Sequence, residues 1–162
     1  SQGGIKDLLI PLNAREIVRI RQGRWSAFEF LALTTSNKQS LVFMSPEKQH
    51  GQAVLFTADS DLSFSQKIPW TNGMVITAPH HGAETNASAY NRFAVDTNKR
   101  FQAVWVRSDG RFKKRPGNSY LSSPGPHFCT ICRGSSHPKQ DLALEVGSGG
   151  WEPSSTRECS CK

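Results

Sequence analysis

The chain has no cysteine before residue 129, no long apolar run and only five histidines in 162 residues. Each lack excludes something. A bilayer-spanning helix needs roughly 18–20 consecutive apolar residues, and no stretch approaches that, so neither a transmembrane segment nor a membrane partner is expected. Cysteines confined to positions 129, 132, 159 and 161 cannot form a disulfide framework for the remainder. Acidic residues are also scarce, 13 against 20 Lys and Arg, which leaves a net charge of +7. A surplus of that size favours an anionic partner, nucleic acid above all. The start, Ser1-Gln2-Gly3-Gly4, lacks both Met and an apolar leader. It reads as a processed product or a piece of a longer protein. With 36% hydrophobic and 20% charged residues, the composition fits one globular domain with a small appendage.

What is present is mostly strand. Residues 1–12 hold Ile5, Leu8, Leu9, Ile10 and Leu12, a weak helix or strand signal broken by Pro11. Residues 16–20 alternate, Gln22-Gly23 suggests a hairpin turn, and 25–33 alternates apolar with small or polar residues. Strands are expected at 41–44, 53–57, 75–78, 102–106 and 142–146, with loops at 37–40 and 46–51 and a short helix or loop at 62–69. Ala87, Tyr90, Phe93 and Ala94 give residues 87–95 the spacing of a short amphipathic helix. Asp109-Gly110 should turn the chain into a basic segment. The pattern as a whole indicates an α+β or sandwich-like sheet protein.

Two strand ends carry side chains that can ligate metal. Val75-Ile76-Thr77-Ala78 runs into Pro79-His80-His81-Gly82-Ala83, and Ala53-Val54-Leu55-Phe56-Thr57 runs into Ala58-Asp59-Ser60-Asp61. Imidazole is the commonest metal ligand near neutral pH, and a carboxylate suits divalent cations. The bland alternative is that Asp59 caps a turn and the His pair hydrogen-bonds loop backbone. Asp61 is a fallback carboxylate.

These segments meet a family. Asn37-Lys38-Gln39-Ser40-Leu41-Val42-Phe43, then Val54 to Asp59, then Val75 to Ala83 follow the order and spacing of the C-terminal half of a metallo-β-lactamase-fold hydrolase. The chain is most similar to the subgroup that includes the hydrolase domain of the DNA-uptake competence channel. The resemblance covers about residues 25–120 and extends to strand 103–106, Arg111-Phe112 and Arg115-Pro116. It implies half of an αββα sandwich in residues 1–121. It also implies that Asp59 bridges two metal ions, Zn²⁺ or Mn²⁺, and that His80 or His81 ligates one of them. Two ions about 3.5–4 Å apart can hold a hydroxide and clamp an in-line displacement at phosphorus. Asp59, His80 and His81 are thus the candidate catalytic residues of a phosphodiesterase or nuclease. There are departures. The family's His-x-His-x-Asp-His motif is absent, Ala58 and Ala83 replace Gly and Ser, and Arg115 stands where the family often has His. The missing ligands are expected from an N-terminal half of the same fold, separate or cleaved away. The rival is a non-catalytic module that binds nucleic acid or protein through a degenerate site, or a processed fragment that regulates the enzyme.

Residues 122–162 read as a zinc-ribbon-like tail. Cys129 and Cys132, with Cys159 and Cys161, form two pairs able to give structural zinc a closed tetrahedral shell. His127 or His137 could replace one of them. Clustered Cys pairs of this kind are commoner as metal ligands in reducing compartments, which points to the cytoplasm. The basic run Arg111, Lys113, Lys114 and Arg115, with Phe112 and Trp105 nearby, could track a phosphate backbone and stack a base.

Overall fold

The computed structural model describes residues 10–12, 40–45, 53–108, 114–132 and 139–161. The expected elements at 16–20, 22–23 and 25–33, residues 37–39 of the 37–40 loop, the 46–51 loop, the 109–110 turn, Arg111, Phe112, Lys113 and His137 lie outside these residues.

The described residues form a mixed α+β structure. A six-stranded sheet runs in the order β1 (Ile10–Pro11), β2 (Phe43–Ser45), β3 (Val54–Phe56), β4 (Val75–Thr77), β5 (Val104–Arg107), β6 (His127–Cys129). The first three strands pair antiparallel, and β3 to β6 are parallel. A parallel neighbour requires a crossover. Between β4 and β5 this is helix α1 (Ala87–Asp96), and between β5 and β6 it is the single turn α2 (Asn118–Leu121). A separate hairpin, β7 (Leu144–Gly147) and β8 (Gly150–Pro153), closes the described chain.

Alternation along the central strands sorts side chains onto two faces. Leu55, Ile76 and Trp105 point to one face, where they meet Tyr90 and Phe93 of α1 and Tyr120 of α2. Val75, Val104 and Phe128 point to the other, where Leu142, Leu144 and Trp151 from the hairpin segment cover them. Helices therefore lie on one face and the hairpin on the other. Phe56, on the hairpin side of β3, stays 41% exposed.

The expected strands recur with ends shifted by a residue or two. Two readings differ more. His127-Phe128-Cys129, read as part of the zinc-ribbon-like tail, is the sixth strand of the main sheet. Its three residues are too few for a periodic signal, and its pairing with β5 is a long-range fact. Trp105, considered as a base-stacking residue, is only 1% exposed. It sits edge-on to Phe93 and at 5.5 Å from the Tyr90 ring. A side chain at a buried alternation phase of a central strand is core, so Trp105 is not available to stack a base.

Candidate metal centre

The Cys quartet is assembled by two crossings of the chain. Cys129 ends β6 and Cys132 follows three residues later. The returning segment lies alongside, where the Cys159 amide donates to the His127 carbonyl at 2.6 Å. Gln140 pins the two segments together. Its Nε2 donates to the Cys129 and Arg157 carbonyls at 3.0 and 2.9 Å, and its Oε1 accepts from the Arg157 amide at 3.0 Å. The four cysteines are unbridged, and their sulfurs lie within 4.8 Å of one another. Cys129 and Cys161 are 3.9 Å apart, Cys132 and Cys159 3.9 Å, and Cys132 and Cys161 3.7 Å. A tetrahedral shell with metal–sulfur bonds of about 2.3 Å has edges of about 3.8 Å. The spacing therefore fits an ion and is far too long for a disulfide, whose sulfurs sit about 2.05 Å apart. The Cys129 side chain, then burial, pushes the Cys159 thiol well above the ordinary thiol range. Backbone amides of Ser160 and Cys161 point at Cys132 and Cys159 sulfurs at 3.3 and 3.4 Å, donors suited to thiolate ligands.

His127 takes no part in the quartet. Its Nε2 contacts the Tyr120 carbonyl at 2.8 Å, and its ring stacks on Trp105. Burial holds its pKa below the usual imidazole value.

At the C-terminal ends of β3 and β4 sit the other candidates. Thr57 and Thr77 clip these ends: the Thr57 amide donates to Thr77 Oγ1 at 2.9 Å, and Thr57 Oγ1 donates to the Thr77 carbonyl at 2.6 Å. The loops beyond are joined by the His80 amide, which donates to the Ala58 carbonyl at 3.0 Å. Asn86 Nδ2 braces the first loop by donating to the Asp59 and Ser60 carbonyls at 3.2 and 3.0 Å. Ala58, His80 and His81 all have left-handed backbones, with φ of 47°, 49° and 56°. Such non-glycine residues cost of order 1–3 kcal/mol each and persist where surrounding contacts impose them. Gly82 continues the turn at φ +79°, and a Cβ there would lie 3.0 Å from Arg107 Cδ and 3.2 Å from Pro116 Cβ. Both the conformation and the space require glycine.

The two imidazoles face different partners. His81 Nδ1 contacts the Ser108 carbonyl at 3.2 Å and Ser108 Oγ at 3.0 Å. The carbonyl only accepts and the hydroxyl can do either, so the tautomer that satisfies both contacts carries its proton on Nδ1 and its lone pair on Nε2, as in many metal-ligating imidazoles. His80 Nε2 instead meets the Arg115 guanidinium at 2.8 Å. Guanidinium only donates, so His80 Nε2 accepts. Asp61 Oδ1 accepts from the Ser63 amide at 3.0 Å, which caps its own turn. Among the described residues, the Cys quartet is the one group of three or more His, Cys, Asp or Glu side chains close enough to share an ion; Asp59, His80 and His81 do not form another. Of the basic run, Lys114 is exposed and Arg115 half-buried.

Two residues of this region went unseen in the sequence. Arg107 is fully buried, with Nη2 3.1 Å from the Ile131 carbonyl and 3.5 Å from Cys161 Sγ. Its signal was available: it shares the inward phase of Trp105, two residues earlier, and a buried cation needs an electron-rich partner. Gln140 carried no comparable signal.

No family model, characterised protein or solved structure matches the chain. No helix among the described residues is long and apolar enough to cross a membrane.

Proposed function

We propose that the chain is the C-terminal part of a metallo-β-lactamase-fold phosphodiesterase or nuclease, stabilised by zinc at Cys129, Cys132, Cys159 and Cys161. The observation that carries the hydrolase reading is the junction at the sheet's C-terminal edge. Asp59 and the His pair end adjacent parallel strands, and the His80–Ala58 backbone bond ties their loops. Side chains at the carboxyl ends of parallel strands are where α/β sheets bind ligands. The sheet also supports it, because helices lie on one face while, among the described residues, Phe56 on the other face stays exposed, as suits one half of a sandwich. In this reading Asp59 bridges two divalent ions and His81, with its lone pair on Nε2, ligates one. Arg115 and Lys114 attract the phosphodiester, and the partner half brings the His-rich ligands.

The test is complementation. The chain alone should not cleave single- or double-stranded nucleic acid with Zn²⁺ or Mn²⁺. Adding a polypeptide that carries His-x-His-x-Asp-His should restore cleavage, and Asp59→Ala should abolish it along with one bound ion. Robust turnover by the chain alone, or an active Asp59→Ala complex with full metal content, would defeat the reading.

One contact favours a second reading. Arg115 presents a cation to His80 Nε2 and occupies the lone pair which that nitrogen would offer a metal. A site of this kind binds a phosphate group without cleaving it. Complexes that retain nucleic acid yet never turn over would select this alternative.

A further inference from the structure

Arg107 touches both candidate sites. Its guanidinium lies 3.5 Å from Cys161 Sγ and 3.1 Å from the Ile131 carbonyl, inside the loop that carries Cys132. Its carbonyl accepts from the Thr130 amide at 3.0 Å, between Cys129 and Cys132. The middle of its side chain fills the space beneath Gly82, where even a methyl group would approach Cδ to 3.0 Å. The next residue, Ser108, holds the His81 ring through its carbonyl and hydroxyl. Head, stem and backbone thus contact the quartet, the His turn and the segment between them.

We infer that Arg107 is a positioning residue that couples the Cys quartet to the His80-His81 turn, so that metal in the quartet fixes the two imidazoles. The inference rests on the metal reading of the quartet. Four thiolates around one divalent ion leave the centre negatively charged, and a buried guanidinium cannot shed its proton. The Arg107–Cys161 contact is then a charge-assisted hydrogen bond, stronger than one to a neutral thiol. Metal holds the head group; the stem, held in turn, supports Gly82. Once the head group loses its anionic partner it keeps the Ile131 carbonyl but is held less firmly, and the stem with it. The turn above it is already in the left-handed region at three consecutive residues, so it is the segment that yields first. One nitrogen, Nη2, reaches both sulfur and carbonyl; lysine would keep the charge but not the length and planar shape of the guanidinium that carries Nη2 there.

Two measurements on the full chain test this. The first is the rate of zinc release to a chelating dye. Arg107→Met should speed release by about tenfold or more, in the range of losing a hydrogen bond to a metal ligand, and Arg107→Lys should fall between. The second is hydrogen exchange at the His80, His81 and Ala83 amides, each bonded within or beneath the turn. Stripping zinc from the wild type, or loading zinc into Arg107→Met, should accelerate exchange there far more than at Leu55 or Ile76. Phe93→Leu, a core change on α1, should not single out the turn. If Arg107→Met does not fold, Arg107→Lys and the stripped wild type give the same comparison. A wild type that binds zinc while its turn ignores both zinc removal and Arg107 substitution overturns the coupling alone. A chain that takes up no zinc overturns the quartet reading and the coupling together.

Discussion

At the residue scale, the His pair is held in a conformation its own chemistry disfavours. For an L-residue, left-handed φ brings Cβ against the following carbonyl oxygen, at a cost of roughly 1–2 kcal/mol. His80 and His81 each bear this strain, and the bonds to Ala58, Ala78 and Ser108 impose it. Glycine would relieve the strain; alanine would keep it. His80→Gly should therefore be more stable than His80→Ala by about 1 kcal/mol, and the same should hold at His81. Chemical denaturation of the four variants reads this directly. If alanine matches glycine at both sites, the turn has another conformation in solution.

At the element scale, α2 is anchored by a carboxylate rather than by its own length. One helical turn has little stability of its own. Glu84 accepts from the Ser119 amide at 2.9 Å and from Ser119 Oγ at 2.7 Å, joining the segment after the His turn to the first turn of α2. Those Ser119 hydrogen bonds hold the Glu84 carboxyl below its ordinary pKa of 4.5. A depressed folded-state pKa means that the stabilisation is complete above the unfolded value. It is lost as pH falls through the folded one. Glu84→Gln should therefore be less stable than wild type at neutral pH, and the two should converge in acid below pH 4.5. Melting temperatures across pH 3 to 7 would show the convergence; parallel curves throughout would mean that the carboxylate contributes nothing.

At the scale of the whole molecule, the last segment is tied to the sheet by the quartet as well as by the apolar cover of Leu142, Leu144 and Trp151. The quartet joins β6 to residues 159–161, and the hairpin that covers the Val75, Val104 and Phe128 face lies between these two anchors. A polar tail of this kind has little core, so a bound ion should supply much of its order. The chain should hold about one zinc, and Cys129→Ser should lose it. Protease sensitivity should then rise in residues 139–161 before it rises in α1. Elemental analysis and limited proteolysis check both halves of that expectation. A fully reduced, protease-resistant chain free of zinc would show that packing alone holds the tail.

The sequence by itself determined the elements whose evidence is local. Alternation marked the central strands, spacing marked α1, and paired cysteines marked the quartet, because each signal repeats within a few residues. It also placed Asp59 and the His pair at strand ends, where an apolar run meets Pro or a polar turn. Tertiary structure alone decided which of these meet. Nothing local to His127-Phe128-Cys129 declares a sixth strand, since its partner β5 lies some twenty residues away in sequence. Nothing in two adjacent histidines shows that one faces Ser108 and the other Arg115. Arg107 is the clearest case. Its inward phase was legible, but its partner sulfur is 54 residues distant, and only the folded chain brings a buried cation and a cysteine quartet together.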